Sequence, residues 1–179
     1  MLKYVKVVII SASPRKNANT QLVMKYVFEY VKSKNIQAEF INLSKQEIEC
    51  YRGPDEDYNE STKNAIREIM NADVWLIGSP IYNSFFSSAL KNLFEYVNYK
   101  KTEGKIAGIV IMAAGNIGFN GVQTMITQLL SYFRVITNPK AVFLTVDAIS
   151  NNTLSDESAK DRLREMVDGT LRLASRIRD

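Results

Sequence analysis

Five near-continuous apolar runs alternate with five segments of helical periodicity along the 179 residues, and nothing else in the chain restricts its fold so strongly. The apolar runs cover residues 5–10, 38–43, 74–77, 105–114 and 141–147. The helical segments cover 20–34, 59–71, 87–99, 118–134 and 155–178. A strand with one wet face alternates apolar and polar residues, whereas a strand buried on both faces reads as a continuous apolar run. Burial on both faces calls for a parallel sheet between two helix layers. Strict β–α alternation in one chain of this length predicts an α/β fold, a doubly wound five-stranded parallel sheet of order 2-1-3-4-5 with helices on both faces. A single domain over residues 1–179 is expected. Residues 44–58 break the pattern; Gly53-Pro54 is a turn signal there, and Asp55–Asp57 reads as a solvated loop. Trp75, inside the third run, reads as core.

Ligands of a doubly wound sheet bind beyond the carboxyl ends of the strands, where the strand order reverses. The loops after the first, third and fourth strands therefore matter most. The first is Ser-Ala-Ser-Pro-Arg-Lys-Asn-Ala-Asn-Thr at 11–20. A strand ending in such a loop and entering a helix points backbone N–H groups and a helix dipole at one spot, which suits a phosphate. Ser13, Asn19 and Thr20 can donate hydrogen bonds to it and Arg15 can donate charge-assisted ones. The loop fits neither GxxxxGK[ST] nor GxGxxG. The plainer alternative is an ordinary βα turn with Thr20 or Asn19 as helix cap.

The second loop is Ser79-Pro80-Ile81-Tyr82-Asn83-Ser84 and the third runs from Ala113 to Gly118. Pro80 holds its own φ and biases Ser79 toward an extended backbone, so the loop is expected to leave the strand after Ile77 stretched out. Tyr82 offers a ring face for stacking and a hydroxyl for orientation, or else is a half-buried packing aromatic. Gly115 and Gly118 allow backbone to approach a flat ring, or serve a turn and a helix cap. A phosphate at one end of a crevice and a flat ring at the other describes a mononucleotide, flavin mononucleotide (FMN) in particular.

The absence of histidine narrows the chemistry. It removes the commonest general base and the usual hydrolase triads, which points to a cofactor that carries the reaction itself. The lone Cys50 cannot make an intrachain disulfide, and no oxidising compartment is required. Lys and Arg are scattered, so the net charge of +4 does not indicate nucleic acid binding. Residues 1–6 lack a leader pattern and no apolar run is long enough to span a bilayer; a soluble, cytoplasmic protein without membrane association is expected.

These residues resemble the NADPH-dependent FMN reductase family of flavodoxin-like proteins. Ala12-Ser13-Pro14-Arg15 with Asn19-Thr20 is similar to its GSPR…NT phosphate loop. Ser79-Pro80-Ile81-Tyr82, followed by Ala89-Leu90-Lys91-Asn92, is similar to its SPIY…LKN signature. Residues 113–121 resemble its glycine-rich third loop, and the whole likeness spans about residues 4–150. The resemblance implies phosphate contacts from Ser13, Arg15, Asn19 and Thr20. It implies ribityl and ring contacts from Pro80, Ile81, Tyr82, Asn83 and Ser84, with Gly115 and Asn116 from the third loop. Where the family usually has glycine this chain has Ala12, and often also at Ala18 and Ala113; a methyl there could narrow the crevice. The cysteine cluster of related iron–sulfur flavoproteins is reduced to Cys50, so a cluster is not expected.

The resemblance implies an FMN-dependent oxidoreductase with NADPH or NADH as substrate. Hydride would pass from nicotinamide to flavin, and electrons then to a small acceptor: free flavin, a quinone, an azo compound or a metal oxyanion. Both substrates would use one flavin face in turn, giving ping-pong kinetics. It also implies self-association as a homodimer or homotetramer. Lys91 can then serve either a helix-surface ion pair with Glu95 or a subunit interface. Phe85 and Phe86 can line the substrate side, join a subunit contact, or pack in the core. Two other functions stay open. One is a flavodoxin-type electron carrier, against which the basic pI of about 9.1 weighs. The other is a flavodoxin-like module that binds no flavin.

Overall fold

The computed structural model describes residues 5–178; the leader reading of residues 1–6 falls largely outside them. The parallel strands are β1 (Lys6–Ser11), β2 (Gln37–Asn42), β3 (Val74–Tyr82), β5 (Ile106–Ala113), β6 (Ile136–Thr137) and β7 (Val142–Thr145). Antiparallel additions are β4 (Phe85–Phe86), on β3, and the small pair β8 (Ile149–Ser150) and β9 (Thr153–Leu154). The helices are α1 (Asn19–Ser33), α2 (Glu60–Asn71), α3 (Ser88–Glu95), α4 (Phe119–Tyr132) and α5 (Glu157–Arg178). The sheet order is β2-β1-β3-β5, with β6 and β7 both pairing β5. This is the expected 2-1-3-4-5 order, with the fifth strand in two pieces. Its break holds Pro139, which has no N–H to give to a ladder.

The apolar runs are buried on both faces, as the pattern requires. Val7 and Ile9 of β1 face a core layer shared with Val23, Met24, Val27 and Val31 of α1 and Leu163, Met166 and Leu171 of α5. Val8 and Ile10 face the opposite layer, with Ile69 of α2, Leu90 and Phe94 of α3, and Val122 and Ile126 of α4. Each fully buried apolar side chain contributes about 1.5–3 kcal/mol. Two glycines let helices sit close to the sheet. A Cβ on Gly78 would lie 2.3 Å from Met24 Sδ, and one on Gly108 would lie 2.5 Å from Met166 Sδ. Trp75 is fully buried and donates from Nε1 to the carbonyl of Ile69 at 2.9 Å, as expected of a core residue.

The third strand departs from expectation. It does not end at Ile77 but runs on through Pro80 to Tyr82, pairing Ser79 and Pro80 with Ile111 and Met112 of β5. The reason is positional. β1 ends opposite Gly78, so at Pro80 one side of the strand has no ladder partner and the missing N–H is harmless. β3 then turns back into β4 through Asn83 and Ser84, pairing Tyr82 with Phe85 and Ile81 with Phe86. Both turn residues have positive φ, 49° and 63°, the mark of a type I′ hairpin. Phe86 joins the core while Phe85 stays about half exposed.

The irregular segment 44–58 is tied down by α3. Asn92 Nδ2 and the Tyr96 hydroxyl both donate to the carbonyl of Glu49, at 2.8 and 2.7 Å. Tyr51, Tyr58 and Tyr96 pack ring against ring beside it, and burial pushes the Tyr96 phenol up to about 12. Lys91 pairs with Glu95 along α3.

Candidate functional site

A cavity of about 310 Å³ opens at the carboxyl edge of the sheet, where the adjacent strands β1 and β3 lead to their next strands on opposite sides of the order. That volume is at the small end of the ~300–1,000 Å³ expected of cofactor sites. One wall is the first loop and the start of α1: Arg15, Lys16, Asn17, Ala18, Asn19 and Thr20. The facing wall is the end of β3, with Pro80, Ile81 and Tyr82. Met112 and Ala113 of β5 and Ala114 just after it close the cavity, with Val146 from the turn after β7.

The first wall has the character of an anion site. The residue preceding α1 is Ala18, with extended backbone, and no side chain caps the helix. This overturns the alternative of a turn capped by Thr20 or Asn19. α2 and α3 are capped by Asn59 and Ser87, whereas α4, which follows Gly118, has no side-chain cap either. The first turn of the 15-residue α1 also has no acidic residue, so its dipole is uncompensated beside the cavity, although the Gln21 N–H already donates to the Ala18 carbonyl at 2.9 Å. Arg15 and Lys16 stand exposed at the rim, and among the described residues neither has an ion-pair partner.

Of the residues singled out in the sequence, Arg15, Asn19, Thr20, Pro80, Ile81 and Tyr82 line the cavity together. Ser13 is 1% exposed and lies behind the wall; its Oγ is 2.8 Å from the Tyr82 hydroxyl and accepts from the Arg15 backbone N–H at 3.3 Å. Asn83 and Ser84 are the exposed tip of the β3–β4 hairpin. Gly115 and Asn116 are exposed in the β5–α4 loop and do not contribute to the lining. Gly118, with φ of 90°, precedes α4; a Cβ there would be 3.6 Å from Ile81, so this loop approaches the second wall closely.

The three alanines differ in consequence. The Ala12 methyl belongs to the core layer on the α2–α3–α4 side, and its N–H donates to Gly78 O at 2.8 Å. Ala12 therefore takes no room from the cavity, whereas Ala18 and Ala113 are part of its lining.

Sequence reasoning missed the residues that hold the walls together. The Ser87 hydroxyl donates to the Ala12 carbonyl at 2.5 Å and accepts from the Leu90 N–H at 3.1 Å. The Ser87 N–H donates to Ser79 Oγ at 3.2 Å, and Ser79 Oγ donates to the Pro80 carbonyl at 3.0 Å. Both serines are fully buried. A serine opening a helical pattern is a legible cap signal for Ser87. Its bond to Ala12 is visible only in the fold.

A family profile described as NADPH-dependent FMN reductase matches residues 5–148. The chain is 26% identical over 164 residues to a protein named NADPH azoreductase from Bacillus sp. (strain OY1-2), covering 90% of this chain and 88% of that one. It is 25% identical over 134 residues to an NAD(P)H-dependent FAD/FMN reductase of Geobacillus thermodenitrificans (strain NG80-2), covering 74% and 72%. Its fold is similar to that of FerB, a flavoenzyme NAD(P)H:(acceptor) oxidoreductase from Paracoccus denitrificans. The TM-score is 0.77 at 21% identity, over 96% of this chain and 98% of that one.

Proposed function

The chain belongs to the NADPH-dependent FMN reductase family and is thereby an oxidoreductase working with FMN and reduced nicotinamide; from that premise we propose that the cavity at the carboxyl edge holds the FMN and that a small molecule takes the electrons. The observation that carries this reading is the pairing of two unlike walls in one cavity. The uncapped start of α1, with Arg15 beside it, suits the phosphate. The end of β3 and the end of β5 with the residue after it present Pro80, Ile81, Ala113 and Ala114, a mostly apolar surface suited to a flat ring.

Asn19 and Thr20 add donors at the phosphate end, and Ser13, behind the wall, holds the Arg15 N–H and the Tyr82 hydroxyl. Asn83 and Ser84 on the hairpin and Gly115 and Asn116 in the β5–α4 loop are exposed outside the lining, and they are assigned ribityl and ring contacts. When bound, FMN supplies two-electron chemistry between a nicotinamide and an acceptor. The residues of this chain contribute orientation and backbone N–H groups, and no side-chain acid or base is required of them. The acceptor classes are free flavin, quinones, azo compounds and metal oxyanions, and the relatives' names favour flavins and azo compounds. Nicotinamide and acceptor reach the same opening one after the other, so a ping-pong pattern is expected.

The test is an anaerobic titration of the FMN-loaded protein with NADPH and with NADH. Loss of the flavin absorbance without any added reductase, and parallel double-reciprocal lines with an azo or quinone acceptor, are the expected results. A flavin that neither nucleotide bleaches would leave a carrier rather than an enzyme.

A further inference from the structure

We propose that Tyr82 serves the phosphate end of the flavin through its hydroxyl, as the terminal donor of a relay from Ser13, and that it adds to the preference for FMN over riboflavin. The inference rests on the flavin reading above. It differs from the expectation of a ring that stacks on the isoalloxazine.

The argument starts from the count of hydroxyl protons. Ser13 Oγ and the Tyr82 hydroxyl lie 2.8 Å apart and share one hydrogen bond, which either can donate. Each hydroxyl has one proton and two acceptor lone pairs. Ser13 Oγ already accepts from the Arg15 N–H at 3.3 Å. The pair therefore owns two protons and spends one internally. The second has no partner among the hydrogen bonds made by the described residues.

Access decides which oxygen delivers it. Ser13 is 1% exposed and is not part of the cavity lining, whereas Tyr82 is half-buried and lines the cavity together with Arg15, Asn19 and Thr20. The favoured direction is thus Ser13 donating to Tyr82 and Tyr82 donating into the cavity. A phosphate oxygen is the acceptor that gains most, because a hydroxyl bonded to an anion makes a short, charge-assisted bond.

Position is fixed independently of any ligand. Tyr82 is the last residue of β3 before the type I′ turn, and its pairing with Phe85 sets its backbone. Its side chain reaches across 69 positions of sequence to the loop after β1. The phenol therefore links the second wall to the first loop, on the hydroxyl that also holds the Arg15 N–H.

The experiment compares Kd values for FMN and for riboflavin, measured by quenching of their fluorescence, in the wild type, Tyr82→Phe and Ser13→Ala. Tyr82→Phe is expected to weaken FMN about 10–100-fold, the range for a lost hydrogen bond to a charged group, and to leave riboflavin within about twofold. Ser13→Ala is expected to weaken FMN less, since Tyr82 keeps its own proton for the phosphate. Equal losses for both flavins in Tyr82→Phe would assign the phenol to the ring and overturn the proposal, as would no loss for either. A larger effect from Ser13→Ala than from Tyr82→Phe would place Ser13 on the phosphate directly and reverse the relay. A wild type that binds neither flavin would instead sink the flavin reading itself.

Discussion

The hydroxyl of Ser87 donates to the carbonyl oxygen of Ala12 at 2.5 Å, joining residues 75 positions apart in the chain. Ser87 Oγ also accepts from the Leu90 N–H and caps α3, while the Ser87 N–H reaches the buried Ser79 of β3, next to the wall residue Pro80. One buried residue thus joins the start of α3 to the end of β1 through its hydroxyl, and to β3 through its backbone N–H. No hydrogen bond in this knot needs a ligand, so the cavity walls are positioned before anything enters.

Ser87→Ala is expected to destabilise the apoprotein by about 2–3 kcal/mol. The lost cap on the Leu90 N–H, which keeps its bond to the Ser87 carbonyl, accounts for about 1 kcal/mol of this, and the orphaned Ala12 carbonyl supplies about 1–2 kcal/mol more. Urea unfolding followed by circular dichroism measures it. A loss under about 0.5 kcal/mol would mean that the walls are held by packing alone.

Arg15→Ala is expected to weaken FMN by about 1.5–3 kcal/mol, the value of a hydrogen bond to a charged group. Apoprotein stability should barely change, since Arg15 is an exposed side chain without an ion-pair partner among the described residues. Fluorescence titration and thermal unfolding give the two numbers. Lost stability with unchanged FMN affinity would make Arg15 a structural residue of the loop.

Much of this architecture is legible in the apolar runs. Val5–Ile10 could only be a strand buried on both faces, and the core layers of Val7 and Ile9 against Val8 and Ile10 bear that out. Pro80 misled because a proline usually ends a central strand; nothing local says that β1 has already stopped at the level of Gly78. The hairpin was hidden for a related reason. Asn83-Ser84 lacks the glycine that normally advertises a type I′ turn, and β4 has only two residues. The cavity's first wall was readable as a phosphate loop, but the absence of a cap on α1 was not, because Asn19 and Thr20 are both good caps by type. The bond between Ser13 and Tyr82 depends on two loops meeting in space, and no spacing in the chain encodes it.

Ser84 poses the opposite problem to Ser87: it is held where serine is a poor choice. Its φ of 63° lies in the left-handed region, which costs a non-glycine residue roughly 1–2 kcal/mol. Asn83, at 49°, tolerates that region better than most residues do. A type I′ turn favours glycine at the second position, so Ser84→Gly should relieve strain, offset in part by the greater freedom of glycine in the unfolded chain. The expected net gain is about 0.5–1 kcal/mol, seen as a rise in Tm of about 1–4 °C. Such strain persists at functional sites when the side chain is needed there. Ser84 is exposed at the tip of the hairpin that ends the second wall, so the same substitution separates the two roles. If Ser84 contacts the flavin, Ser84→Gly should raise Tm while weakening FMN and riboflavin alike, because the phosphate end is untouched. A rise in Tm with both affinities unchanged would remove Ser84 from the site and leave the turn as strain without a purpose in binding.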